Sequence, residues 1–160
     1  MRERPHYAAA VGERIWRAFW RNKGKPLKAL QNGMRNFLEP QTRIPFALVA
    51  ERDGRLCGNA LVIESDESSR PNLTPWLAAL WVDEDTRKQG VAAALLEEAI
   101  RRTAALGVGQ LYLIARPALR DFYARHGWEP IEDGVGEARL TVHRYIIPGA
   151  PRSEPSIIRE

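Results

Sequence analysis

Disulfide and metal chemistry have little to work with in this sequence, because only one of its 160 residues is cysteine and three are histidine. The lone Cys57 excludes an internal disulfide, and the scattered histidines show no metal-ligand spacing, so no metal is expected. The same scarcity fits a reducing compartment, which makes a cytoplasmic location the expectation. Long apolar runs are also missing. Nothing approaches the ~20 residues needed to cross a bilayer, which argues against a membrane partner. The opening stretch Met1-Arg2-Glu3-Arg4-Pro5-His6 mixes charges and leads into no apolar run of signal-peptide length. Charge of one sign is not in excess either: 24 Lys and Arg face 20 Asp and Glu, for a net charge of +4. The nearest approach to a basic cluster, Arg21-Asn22-Lys23-Gly24-Lys25-Pro26-Leu27-Lys28, reads as a solvated loop. No basic motif interleaved with aromatics appears, which argues against a nucleic-acid partner. A pI of about 9.6 equally suits an anionic, phosphate-bearing ligand.

What is present suits one soluble domain, expected over residues 1–147 with a flexible tail from 148 to 160. The hydrophobic share is 44% and the charged share 28%, ordinary for a globular chain. Val11, Ile15, Ala18 and Phe19 recur at helical spacing, and Leu27, Leu30, Met34, Phe37 and Leu38 repeat the rhythm. Two strand-like runs, Phe46–Glu51 and Leu56–Glu64, flank Asp53-Gly54, a dipeptide suited to a tight hairpin. Residues 65–75 read as a loop, and Trp76–Val82 as a buried strand. The clearest helix spans Val91 to Leu106, where Glu97–Arg101 and Glu98–Arg102 are spaced to pair and Gly107 can end it. Leu111–Ala115 predicts a strand, Pro117–His126 a short helix closed by Gly127, and Leu140–Ile147 contains a last strand.

The most informative stretch runs from that apolar strand through a polar turn into the strongest helix: Trp81-Val82-Asp83-Glu84-Asp85-Thr86-Arg87-Lys88-Gln89-Gly90-Val91-Ala92. A helix start carries unpartnered N–H groups and partial positive charge, and amides wrapped around it form an anion nest. Gly90 and Ala92 keep the approach to the backbone clear, while Arg87 and Lys88 add charge at the rim. This is the pattern of a pyrophosphate seat. The Walker loop is excluded because its two glycines and Lys-Ser/Thr pair are missing. The dinucleotide fingerprint fails as well, since Gly107-Val108-Gly109 follows a helix and is succeeded by Tyr112 where a third glycine is needed.

Arg87, Gly90 and Ala92 resemble the Arg/Gln-x-x-Gly-x-Gly/Ala signature of the GNAT superfamily of N-acetyltransferases. A second match, Phe122-Tyr123-Ala124-Arg125-His126-Gly127-Trp128, resembles the family's Leu/Phe-Tyr-x-x-x-Gly-Phe/Trp on the helix after the next strand. The resemblance extends over residues 8–147. It implies a mixed α/β (α+β) fold, with a mostly antiparallel sheet of about seven strands splayed between its strands 4 and 5 and about four flanking helices.

It also implies acetyl-CoA as co-substrate, held by Arg87, Lys88, Gln89, Gly90, Val91 and Ala92, with backbone groups of Leu80, Trp81 and Val82 pairing with its pantetheine. Direct attack by a primary amine would follow, with Tyr123 as general acid and cofactor contact, worth ~10²–10⁴ in rate. Of the acids at the strand end, Glu84 is the first choice as general base, with Asp83 and Asp85 as alternatives; acids ahead of a helix also suit its dipole. Asp66 and Glu67 can attract a cationic acceptor or simply be solvated. Arg116 stands where the family often has an asparagine that contacts pantetheine, and Leu119 where it has alanine, leaving open whether Arg116 replaces that contact. A non-catalytic acetyl-CoA-binding regulatory module is the alternative reading. The acceptor, a small-molecule or peptide amine, is not specified. Oligomeric state stays open, homodimers being common in such families.

Overall fold

The protein is described by a computed structural model covering residues 4–38 and 43–149. Its N-terminal helical segment is broken into short pieces: α1 (Ala8–Ile15), a π-helical turn (Trp16–Trp20), a 3-10 turn (Arg21–Lys23), α2 (Leu27–Met34) and a second 3-10 turn (Arg35–Phe37). Gly24, at φ +67°, ends the first stretch, and Pro26 opens α2.

The strands follow as β1 (Phe46–Arg52), β2 (Arg55–Ile63), β3 (Trp76–Val82), β4 (Gln110–Ala115), β5 (Glu129–Val135) and β6 (Leu140–Ile146). Asp53 (φ +52°) and Gly54 (φ +73°) join β1 to β2, the pair of positive φ values that matches hairpin twist. Between β3 and β4 the chain crosses over through α3 (Val91–Ala105), and α4 (Arg120–Arg125) precedes β5. The sheet order is β1-β2-β3-β4-β6-β5, antiparallel except for the parallel β3–β4 pair that a helical crossover permits.

Six strands rather than about seven form the sheet among the described residues, because the segment before β1 is wholly helical there. The splay expected between strands 4 and 5 therefore falls between β3 and β4. That pair has one rung, Trp76↔Tyr112, at its start, and the strands then part. The sequence gives no sign of β5: Glu129-Pro130-Ile131-Glu132-Asp133-Gly134 is poor strand material, tolerated because β5 is an edge strand with shifted register.

Each face of the sheet has its own core. On one, Val91, Leu95, Leu96 and Ala99 of α3 pack on Phe46, Val62, Leu77, Leu111 and Leu113, together with Tyr123 and Trp128. On the other, Val11, Ile15, Leu30 and Met34 of α1 and α2 cover Ala47, Leu56, Leu61 and Ala78. A small cluster of Trp76, Tyr112, Val135 and Val142 closes the far half of the sheet. Gly58 of β2 lets α3 sit close: a Cβ there would lie 3.0 Å from the Trp81 carbonyl and 3.1 Å from Val91. On the exposed side of α3, Glu98 takes both arginines, Arg101 and Arg102, at 2.7 Å each, so the expected Glu97–Arg101 pair is not the one formed. The hydrogen bonds from Arg101 and Arg102 draw the Glu98 pKa down to about 2. The tail expected from 148 onward lies, from residue 150, outside the described residues.

Candidate functional site

Because β3 and β4 are parallel, their C-terminal ends open at the same end of the sheet. The loop after β3 and the turn after β4 therefore face one opening. Along β3, residues 77–82 have no rung with β4, so Leu80, Trp81 and Val82 border an interior gap in the sheet. An interior strand with an unpaired edge offers backbone donors and acceptors to an extended, amide-bearing ligand.

The loop is held from within. Asp83 N–H continues the β2 contact by donating to the Cys57 carbonyl at 2.9 Å. Thr86, buried, donates from both N–H and Oγ1 to the Asp83 carbonyl at 3.0 Å, closing the turn Glu84–Thr86. Lys88 at φ +59° and Gly90 at φ +84° are left-handed, so successive amides alternate in direction as a nest requires. The first helical bond of α3 runs from Ala94 N–H to the Gly90 carbonyl at 3.0 Å. The amides of Val91, Ala92 and Ala93 thus precede the intrahelical ladder and remain available. A Cβ at Gly90 would meet nothing within 4 Å, so the space over the nest is open.

The basic residues are arranged less simply than the sequence suggests. Arg87 folds back, donating from Nε to the Val82 carbonyl at 3.0 Å with its guanidinium 5.1 Å over the Trp81 ring. Gln89 donates to the Asp85 carbonyl at 3.0 Å and accepts from Arg52. Arg116 sits exposed at the end of β4, opening the turn Pro117–Leu119.

The three acids at the end of β3 are distinguishable. Asp83 is bound by Arg14 of α1 at 2.5 Å and by the Trp81 indole at 3.3 Å, and Asp85 pairs with Arg55 at 2.6 Å. Among the described residues Glu84 has only Arg87, at 3.9 Å, and its side chain is 86% exposed. In the loop before β3, Glu67 is occupied by the N–H and hydroxyl of Ser69, which draw its pKa down, and Asp66 is exposed.

Tyr123, on α4, is buried against Phe122, Trp128 and His143, with ring centroids 5.1, 6.3 and 5.3 Å away. Its hydroxyl makes no hydrogen bond among the described residues, and burial pushes its pKa up to about 12. His143 of β6 is fully buried with neither ring nitrogen hydrogen-bonded among the described residues, and burial pushes its pKa down. Cys57 is buried, its thiol 3.4 Å from the Ala50 carbonyl.

On the α1–α2 side of the site, Phe19 is exposed and meets Trp81 edge to face at 6.5 Å. Trp16 donates to the Lys25 carbonyl at 2.7 Å, and the Lys25 ammonium lies 4.6 Å over Trp20. Phe19 and Trp81 thus form a half-open aromatic surface beside the gap, while Trp16 and Trp20 pack against the α1–α2 core. Sequence reasoning missed Arg14, His143 and Asn59. Asn59 carried the clearest signal, a polar residue disfavoured in strands in the middle of an apolar run. A shallow depression lined by Gly127, Glu129, Arg144, Tyr145 and Ile146 involves none of the loop residues. Among the described residues, no group of three or more His, Cys, Asp or Glu is placed to hold a metal, and no helix is long and apolar enough to cross a membrane.

A left-handed loop leading into a crossover helix thus lies beside a parallel strand pair that parts after one rung. The family description of the GNAT acetyltransferase domain matches residues 45–130. That is more than half of the chain, which belongs to the GNAT acetyltransferase family. Solved structures of similar fold include an aminoglycoside 6'-acetyltransferase type Ii, 16% identical, with a TM-score of 0.69 over 94% of this chain and 96% of that one. An aminoglycoside 6'-N-acetyltransferase complexed with coenzyme A is 15% identical, with a TM-score of 0.67 over 91% and 93%. A ribosomal-protein-alanine N-acetyltransferase from Brucella melitensis is 19% identical, with a TM-score of 0.67 over 91% and 96%. No curated protein sequence matches significantly.

Proposed function

We propose that this protein transfers an acetyl group from acetyl-CoA to a primary amine by direct attack. The observation that carries the reading is the opening itself, a strand edge unpaired over residues 77–82 that leads directly into the nest at Gly90. The co-substrate fits both parts. The clear space at Gly90 admits a pyrophosphate, and the unpaired edge at Leu80–Val82 matches the amides of a pantetheine arm.

When bound, acetyl-CoA supplies an activated thioester and a thiolate leaving group. The chain's own groups then divide the work. Amides of Lys88, Gln89, Gly90, Val91 and Ala92 hold the pyrophosphate, with Arg87 and Arg116 at the rim. An N–H near Leu80 stabilises charge developing on the thioester oxygen. Tyr123 stays protonated at neutral pH, being raised to about 12, and so has a proton to give to the departing thiolate. The attacking amine must first lose its own proton. Glu84 is the acid free for this, directly or through water, since Asp83 and Asp85 are engaged by Arg14 and Arg55.

The acceptors named for the structural neighbours, an aminoglycoside in two cases and a ribosomal-protein alanine in another, span small molecules and proteins. The aromatic surface of Phe19 and Trp81 favours an amine carried on an apolar or aromatic body. The test is amine-dependent release of free thiol from acetyl-CoA across a panel of aminoglycosides, arylalkylamines and N-terminal peptides. Turnover with one class supports the reading; tight acetyl-CoA binding without turnover on any amine would leave a regulatory binding module instead.

A further inference from the structure

Opposite the gap, β3 is irregular. Its register against β2 places Leu61 across from Ala78 and Asn59 across from Trp81, so Ala79 and Leu80 together face the single residue Ala60. This is a β-bulge on the strand that borders the opening. Ala79 adopts φ +51°, a left-handed conformation that an alanine resists and that its surroundings must impose. The carbonyl of that residue is gripped from the neighbouring strand: Asn59 Nδ2 donates to it at 2.8 Å.

Asn59 is fully buried, and its Oδ1 has no partner among the described residues. A half-satisfied amide enclosed in a strand is costly to keep, and its one hydrogen bond is spent on this carbonyl. The orientation matters because a peptide unit is planar and trans. With the Ala79 C=O turned to Asn59, the Leu80 N–H of the same peptide points the opposite way, away from Asn59 and β2.

We propose that Asn59 is a positioning residue for acetyl transfer, holding the Ala79–Leu80 peptide so that the Leu80 N–H is presented to the thioester carbonyl at the gap between β3 and β4. This rests on the acetyl-CoA reading given above and adds to it the residue that sets the donor's direction. Asn59 touches no substrate; it acts through the peptide it grips. Its effect should therefore fall on the acetyl group and the rate, while the pyrophosphate seat, on the far side of the loop, is spared.

The test uses Asn59→Leu, which removes the amide at similar volume, and Asn59→Asp, which keeps the shape without the amide donor, each checked for folding by thermal unfolding. Wild type should bind acetyl-CoA more tightly than CoA, since only the former has a carbonyl for the Leu80 N–H. The variants should lose that preference and at least ~10-fold in kcat, with CoA affinity unchanged within about 2-fold. In a ¹⁵N spectrum the amide signals of Leu80 and Trp81 should move while those of Val91–Ala93 do not. A folded variant with unchanged kcat and unchanged preference overturns the role of Asn59. So does an equal loss of CoA and acetyl-CoA affinity, which marks a merely structural residue. A wild type that turns over no amine and binds neither ligand overturns the acetyl-CoA reading itself.

Discussion

The two helical covers of the sheet differ in construction. α3 is one continuous helix of 15 residues with a buried apolar stripe, starting from a left-handed glycine. The opposite cover is two helices of eight residues each, joined through π and 3-10 turns, with half-buried tryptophans and an exposed Phe19. The first has to present backbone amides at a fixed point, and an unbroken helix does that without regard to most of its side chains. On the proposed function the second would frame the acceptor with side chains, and a π-helical turn re-aims aromatics at small cost to the fold. In that reading a constant ligand would be met by backbone and a variable one by side chains. Substitutions on the α3 face should then act on every amine alike, and those on the α1–α2 face on amine preference.

The sharpest break in that comparison comes from Tyr123, which belongs to the α3 face. Tyr123→Phe should lower kcat by ~10²–10⁴ for all amines while leaving acetyl-CoA affinity intact, as read by steady-state kinetics and calorimetry. Gly58 tests how closely α3 must sit. Gly58→Val drives a side chain into the Trp81 carbonyl and Val91, and should destabilise the fold by about 1–3 kcal/mol in denaturant unfolding. Arg14 ties the α1–α2 cover to the sheet and to the loop after β3, bonding the Leu56 carbonyl at 2.9 Å and Asp83 at 2.5 Å. Arg14→Ala should cost about 1–2 kcal/mol and raise the KM for the amine more than that for acetyl-CoA.

The smallest effect is on pH dependence. His143 is buried beside Tyr123 with its pKa pushed down by burial; the Asp133 charge opposes that shift and Arg120 adds to it. An unfolded histidine titrates near ~6.5, so below that pH the unfolded chain takes up a proton that the native state refuses. Stability therefore falls as pH drops through ~6.5, by at most ~1.4 kcal/mol per pH unit for one group. His143→Leu should flatten that limb of the thermal-stability profile.

The same contrast explains what was legible beforehand. Val91–Ala105 showed itself through apolar periodicity and Gly90, and the β1–β2 hairpin through Asp53-Gly54, because each rests on local chemistry. β5 was hidden, since an edge strand tolerates Pro130 and Gly134 where an interior one would not. The bulge at Ala79 cannot be read because nothing in Leu77-Ala78-Ala79-Leu80 announces a positive φ, and the Asn59 hydrogen bond to its carbonyl comes from another strand. The loop residues 87–92 were placed by motif, whereas the engagement of Asp83 and Asp85 by Arg14 and Arg55 depended on contacts 69 and 30 residues apart.

On the proposed function the nest at Gly90 seats the pyrophosphate of acetyl-CoA. Calorimetric titration of acetyl-CoA into wild type, Gly90→Ala and Gly90→Glu tests it most directly. Gly90→Ala adds only left-handed strain, about 1 kcal/mol, and should weaken binding modestly. Gly90→Glu adds a bulky anion in the open space over the nest and should abolish binding while the protein remains folded. Binding by Gly90→Glu at wild-type affinity, or no binding of acetyl-CoA or CoA by wild type, would contradict the account.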